Sequence, residues 1–320
     1  MRIGVFTALF QNFPFEEALD KAIAAGVTAV EIGAGGYPGN QHCPVDELLA
    51  SETARQKYLD AFKSRRLLLS ALSVHNNPLD PNPDVAAKAD EDIRRAVELA
   101  ALLGVPVVNG FSGLPAGAPG DKIPNWVTCP WPPHFLEALN YQWNEVAIPY
   151  WQKTAKFIDE HGLRFAFEMH PGMLVYNVET LIKLRTVTRP VLGCNFDPSH
   201  LFWNGVDPVA AIRKLGDAIF HVHGKDTYVD SLNVAVNGCN DAKPYNQILH
   251  RAWTFRSIGY GHGATVWKDM ISALRLVGYD YVISIEHEDA LMSTDEGLGK
   301  AVALLKEAVM FEQPGEMFWA

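Results

Sequence analysis

Apolar positions along the chain fall into two alternating kinds of stretch. Short runs rich in Val, Ile, Phe and Ala recur at about residues 2 to 7, 28 to 34, 67 to 75, 105 to 111, 164 to 170, 191 to 197, 218 to 224 and 281 to 287. Continuous apolar runs of this length predict strands buried on both faces. Between them the apolar residues recur at helical spacing, which predicts helices over about 15–25, 45–64, 85–103, 145–161, 178–187, 208–215, 265–277 and 293–309. Pro208 after Asp207 marks a helix start, and Gly26, Gly104, Gly162 and Gly278 follow last turns. Eight successive strand–helix units predict an α/β protein, a (β/α)8 TIM barrel forming a single domain over residues 1–320.

A barrel of this kind takes about 250 residues, so a chain of 320 has roughly 70 to spare. The gaps after strands four (112–144) and seven (225–264) absorb them. Both leave the C-terminal ends of strands, where barrel enzymes place their active sites. The first gap and the helix after it hold Trp126, Trp131, Trp143 and Trp151, half of the eight tryptophans. Aromatic faces suit sugar rings and subunit interfaces alike, so this segment is expected to wall the pocket or to join copies of the chain into a homo-oligomer. The apolar tail 311–320, with Met317, Phe318 and Trp319, is expected to dock on its own barrel or a neighbour.

Composition narrows the class. A 48% hydrophobic, 20% charged chain buries a large core, and a net charge of -10 repels a phosphate backbone, so nucleic acid is not the expected partner. No apolar run reaches the roughly 18 residues of a membrane helix, no membrane role is expected, and the expected compartment is the cytoplasm. Cys43, Cys129, Cys194 and Cys239 lack any CxxC spacing and read as free thiols.

The later strands end in ionisable groups: Glu168-Met-His170, Asp197-Pro-Ser-His200, His221-Val-His223-Gly-Lys225-Asp226 and Glu286-His-Glu288-Asp289. Buried charges at four neighbouring strand ends need a common partner, and a divalent metal is the simplest. Residues two apart on a strand share a face. Glu168 pairs in this way with His170, His221 with His223, and Glu286 with Glu288. One ligand per strand gives Glu168, Asp197, His223 and Glu286. Three carboxylates and one imidazole favour Mn²⁺, with Mg²⁺, Co²⁺ or Zn²⁺ as alternatives, over a closed structural zinc site. His75, His170, His200 and Lys225 are candidate substrate-binding residues. Glu31 and His221 are open between the pocket and packing, Lys225 and Asp226 between pairing with each other and site roles, and the Gly259–Gly263 turn is a candidate phosphate cradle.

Together with Ser-Val-His75-Asn-Asn-Pro and Gly259-Tyr-Gly261-His-Gly263, these motifs resemble the sugar phosphate isomerase/epimerase family of xylose-isomerase-like TIM barrels over nearly the whole chain. The resemblance implies one divalent metal on the four ligands above. It also implies that Glu168 and Glu286 act as acid and base, moving a proton α to the carbonyl of a keto-sugar or keto-glycoside through an enediolate. Two other activities stay open. One is cleavage of a 3-oxo-glycoside supplied by a partner sugar dehydrogenase. The other is a metal-dependent DNA repair nuclease of the endonuclease IV type, which the acidic charge opposes.

Overall fold

A computed structural model of the chain describes residues 1–319. Ten strands lie among them: β1 (Arg2–Phe6), β2 (Ala29–Gly33), β3 (Leu68–Ser73), β4 (Val107–Gly110), β5 (Arg164–Glu168), β6 (Leu192–Phe196), β7 (Ile219–Gly224), β8 (Asp226–Val229), β9 (Trp253–Arg256) and β10 (Val282–Ile285). β1 to β7 and β10 close into a parallel barrel, β10 pairing with both β7 and β1. The eight apolar runs are therefore the eight barrel staves, buried because helices cover them outside and side chains fill them inside.

The covering helices are α1 (Phe15–Ala25), α2 (Val45–Ala50), α3 (Glu52–Ser64), α4 (Pro83–Leu103), α5 (His134–Asn140), α6 (Ile148–Glu160), α7 (Val178–Val187), α8 (Pro198–Trp203), α9 (Pro208–Leu215), α10 (Ser231–Asn237), α11 (Ala264–Leu276) and α12 (Thr294–Ala308). Their ends follow the sequence chemistry. Asn82 caps α4 through the Asp84 N–H, and Gly104 stops it at φ 70°, a left-handed turn that glycine adopts without a Cβ penalty. Asp207 caps α9 by accepting from the Ala210 N–H at 2.8 Å.

Two helices depart from expectation. The span 45–64 is two helices, because Ser51 turns extended (φ -128°, ψ 118°) and caps α3 by accepting from the Ala54 N–H at 3.2 Å. The helix expected from 145 begins earlier, and a π-helical stretch, Tyr141–Ala147, joins α5 to α6. Pro149 stands in the first turn of α6. It has no N–H to donate to the preceding turn, and the wider π turn accommodates that gap.

The strand-seven loop is built, not irregular. β8 and β9 form an antiparallel ribbon with Asp226 opposite Arg256 and Val229 opposite Trp253, and α10 lies between them in sequence. At the tip of the tail Met317, Phe318 and Trp319 lie exposed on this chain, off its own barrel, while Gln313 bonds to Arg275 and Asp280. Among the described residues no helix is long and apolar enough to cross a membrane.

Candidate active site

Each strand end carries its functional side chain into the barrel by two-residue steps. Glu168 closes β5, Asp197 follows β6, His223 lies in β7 and Glu286 follows β10. One ligand atom from each comes within 4.8 Å of the others. The sequence fixes these positions locally. Asp197 is the N-cap of α8, Oδ1 accepting from the Ser199 N–H at 2.8 Å while Pro198 starts the helix, so Oδ2 is left to face the cluster.

The polar atoms there are not paired off. His223 Nδ1 lies 3.3 Å from Glu168 Oε2 and 3.2 Å from Glu286 Oε2, yet makes no hydrogen bond, and Asp197 Oδ2 makes none either. His75 Nε2 stands 3.0 Å from Glu168 Oε2 in the same way. The buried Asp197 Oδ2 and His223 Nδ1, both without hydrogen bonds, converge with the Glu168 and Glu286 carboxylates into a donor set that fits a divalent cation. Burial pushes the Asp197 carboxyl up, outweighing His200 and Lys225. Burial opposes ionisation of Glu168 too, but His200, His223 and His75 hold it well below the usual carboxylate range. At Glu286 the same opposition is overcome by Lys225 and His223, which bring it down to about 2.

A cavity of ≈ 670 Å³ opens above this cluster. Glu168, Glu286, His75, His170 and Lys225 line it. Glu288 lines it too, and Phe6, Tyr37, Phe111, Tyr245 and Phe255 give it an aromatic wall. His170 donates from Nδ1 to the Pro171 carbonyl at 2.6 Å, leaving Nε2 as an acceptor; burial keeps the ring neutral, its pKa lowered to about 3. His200 lies behind Glu168 and off the cavity wall, donating to Glu168 Oε1 at 3.0 Å. Lys225 pairs with Glu288 Oε2 at 2.7 Å and Glu286 Oε2 at 3.3 Å, over the Phe255 ring, and not with Asp226.

Two sequence expectations are corrected here. The Gly259–Gly263 turn is no phosphate cradle, because Asp226 Oδ2 already accepts from the N–H groups of Gly259 (3.0 Å), Gly261 (3.1 Å) and His262 (2.9 Å). A Cβ at Gly261 would run into the Thr227 backbone, so that approach needs glycine. The tryptophan-rich segment does not wall the cavity either. Trp151 is fully buried against Phe165 and Phe167, Trp143 is buried, and Trp131 is exposed. The strand-seven loop supplies the wall instead, through Tyr245, Ile248, Thr254 and Phe255.

Beneath the cluster lies a second polar layer. Glu31, fully buried, faces inward, as does His221. The Asn109 and Asn195 side chains sit between them and His223. In sequence Asn109 reads only as the end of strand four that offers no further metal ligand for a nuclease, and Asn195 is not singled out, although each stands two residues below a pocket or ligand position, Phe111 and Asp197. Tyr37 and Tyr245 come from loops, where no periodicity marks them.

Relatives agree with this architecture. The chain is 41% identical over 313 residues to the uncharacterized protein YfiH of Bacillus subtilis (strain 168), covering 97% of this chain and 99% of that one. It is 26% identical over 167 residues to an inosose dehydratase of Bacillus anthracis (strain CDC 684 / NRRL 3495), covering 49% of this chain and 54% of that protein. The crystal structure of the IolI protein with a binding zinc atom superposes with a TM-score of 0.65 at 16% identity, covering 97% of this chain and 98% of that one. The profile of the xylose isomerase-like TIM barrel matches residues 19–308, and the chain belongs to that family.

Proposed function

We propose that the protein is a divalent-metal-dependent enzyme that moves a proton α to the carbonyl of an uncharged keto-sugar, cyclic keto-polyol or keto-glycoside, with Glu168 and Glu286 as the proton-transferring pair. The observation that carries this reading is the convergence of Glu168, Asp197, His223 and Glu286, with Asp197 Oδ2 and His223 Nδ1 unpartnered just behind the cavity wall that Glu168 and Glu286 form. Those four residues would hold the ion. When bound, it would supply Lewis acidity at the substrate's carbonyl and neighbouring hydroxyl oxygens.

The chain's own groups divide the remaining work. Glu286 Oε1 accepts no hydrogen bond from any described residue, so it is free to take a carbon-bound proton. Glu168 is held through Oε1 by His200 and stays ionised, ready on the other side of the cluster for the opposite transfer. Neutral His170 Nε2 accepts from a substrate hydroxyl, and Lys225 donates to one. The aromatic wall covers the apolar ring face and keeps water off the enediolate.

Charge supports an unphosphorylated substrate. Glu168, Glu286 and Glu288 line the cavity against one cation, Lys225, which is already paired. The same count opposes the nuclease reading, since a phosphodiester would meet carboxylates. A second outcome of the same enediolate is β-elimination, the loss of a neighbouring hydroxyl or alkoxide, and the likeness to an inosose dehydratase favours it.

The test is NMR of the Mn²⁺-, Mg²⁺- or Co²⁺-treated protein in D₂O with neutral ketoses, inososes and 3-oxo-glucosides, beside their phosphate esters. Deuterium should enter α to the carbonyl of a neutral compound. Glu168→Gln and Glu286→Gln should slow that exchange by about 10² to 10⁴ at verified metal occupancy. Wild-type exchange in both variants, or exchange with phosphate esters alone, would overturn the reading.

A further inference from the structure

Glu31 has no part in the chemistry above, yet it is a fully buried carboxylate in the middle of the barrel. Both of its oxygens lie 3.1 Å from His223 Nε2. Oε1 also accepts from Asn109 Nδ2 at 2.9 Å and from Ser73 Oγ. No lysine or arginine touches it; among the described residues its ionic partners are His223 and, at 3.9 Å, His221. Burying such a charge is costly unless its bonds are specific.

The geometry makes them specific to one ring. His223 Nε2 faces both Glu31 oxygens, with the Asn195 side-chain amide at 3.0 Å, while Nδ1 faces Glu168 Oε2 at 3.3 Å and Glu286 Oε2 at 3.2 Å; a cation held among Glu168, Asp197 and Glu286 requires Nδ1 bare, which leaves the ring proton on Nε2, donated to Glu31. Nδ1 is also the nitrogen without a hydrogen bond. The backbone is shaped for this contact. The register between β2 and β3 slips between Val30 and Glu31, at the pair itself, and that between β6 and β7 slips between Cys194 and Asn195, the residue whose amide lies 3.0 Å from His223 Nε2.

We infer that Glu31 is a positioning residue that fixes the tautomer and rotation of His223, so that Nδ1 is presented to a divalent ion. The inference rests on the metal reading above. The same atoms admit another use, a second ion held by Glu31, His221 and His223. Against it, His221 Nδ1 is already engaged by the amides of Asn109 (3.2 Å) and Asn195 (3.1 Å).

Co²⁺ titration and proton NMR of the Co²⁺-loaded protein separate these uses. Glu31→Gln keeps shape and one acceptor oxygen but removes the charge. It should still bind one Co²⁺ per chain, about 10- to 100-fold more weakly, the usual effect of losing the carboxylate behind a metal-binding imidazole. In H₂O the loaded wild type should show a paramagnetically shifted, slowly exchanging proton, His223 Nε2–H. That signal should shift and exchange faster in Glu31→Gln and vanish in His223→Gln. Ser70→Ala, which touches His221 Nε2 and not His223, should change neither readout. Should Glu31→Gln fail to fold, Glu31→Asp takes its place, and absence of the shifted proton in the wild type overturns the inference without any variant.

Wild-type affinity and an unmoved signal in a folded variant would overturn it, as would two Co²⁺ per wild-type chain with one lost in Glu31→Gln. Wild-type protein that binds no Co²⁺ removes the metal reading and this inference together. Intact wild-type binding with an indifferent variant removes this inference alone.

Discussion

Replacing Asp226 by Asn tests whether the turn before α11 is held by a carboxylate or left to hold an anion. Asp226 is completely buried, with Oδ1 accepting from the Thr227 N–H (2.8 Å) and His262 Nδ1 (2.9 Å). Its Oδ2 takes the three turn amides and stands 3.4 Å from Trp267 Nε1. An asparagine amide does least damage with its oxygen on the three-amide side and its NH₂ beside Thr227 and His262. His262 can then accept in its other tautomer, which leaves the Thr227 N–H orphaned at about 1–3 kcal/mol. The three turn amides keep an acceptor but lose its charge. Hydrogen bonds to charged groups contribute about 1.5–3 kcal/mol and neutral ones about 0.5–1.5, net of desolvation, so that loss is roughly 3 kcal/mol. The whole penalty is on the order of 4 to 6 kcal/mol, or for 320 residues a fall in thermal midpoint of roughly 6 to 9 °C. Scanning calorimetry reads the midpoint, and hydrogen exchange reads protection at Gly259, Gly261 and His262. A variant within about 2 °C of wild type with those amides still protected would refute the account and reopen the turn as an anion site.

Two further outcomes are expected. Trp151→Ala should cost about 3–5 kcal/mol of stability, since the ring is fully buried and its Nε1 donates to the Ser112 carbonyl at 2.9 Å, whereas exposed Trp131→Ala should stay within about 0.5 kcal/mol; denaturant melts compare them. Asp241 pins the strand-seven loop by accepting from Ala252 N (2.6 Å) and Lys243 Nζ (2.8 Å), and against its burial these bonds bring its carboxyl down to about 2. A depressed folded pKa contributes stability above the ordinary value of 3.8 that is lost as pH falls toward 2. The protection of the Ala252 amide should therefore fall in Asp241→Asn relative to wild type at pH 5, and the gap should narrow at pH 3.

What the sequence disclosed was periodic, and what it concealed was long-range. The two-residue step of a strand placed Glu168 beside His170 and His221 beside His223 without any structure, because β5 and β7 themselves stay extended through those positions, the slip at Asn195 falling on β6. It could not disclose the partners of Asp226. The motif His223-Gly-Lys225-Asp226 invites a local ion pair, but β8 begins at Asp226 and turns it toward residues more than thirty positions later. Lys225 meanwhile reaches Glu288 on the neighbouring stave. The β8–β9 ribbon was hidden for the same reason, since its two strands are short and the whole of α10 separates them. Ser51 was legible in principle. A serine ahead of Glu52 is a helix-start signal, overlooked because the helical spacing runs through it.

The inward positions also account for where the chemistry lies by height. On β3 and its continuation they run Ala71, Ser73, His75; on β4, Val107, Asn109, Phe111; on β5, Ala166, Glu168, His170; on β7, His221, His223, Lys225. The lowest inward positions of β3, β4 and β5 are apolar, and Ala71, Val107 and Ala166 pack as one cluster with Phe220, the β7 residue just before the inward series His221, His223, Lys225. The next rung is polar, and its side chains largely satisfy one another: Ser73, Asn109 and His223 converge on Glu31, and Ser70 and Asn195 on His221. Higher still the pairing fails at His223 Nδ1, Asp197 Oδ2 and both nitrogens of His75. A buried polar layer that only had to be tolerated would leave its orphans scattered, each costing stability. Scattered orphans exist here too, among them Gln142 Oε1, Thr154 Oγ1 and Arg275 Nε, but His223 Nδ1, Asp197 Oδ2 and both His75 nitrogens lie together above a layer that is mostly paired, a local concentration expected when the lower layer holds the upper one in place for a ligand.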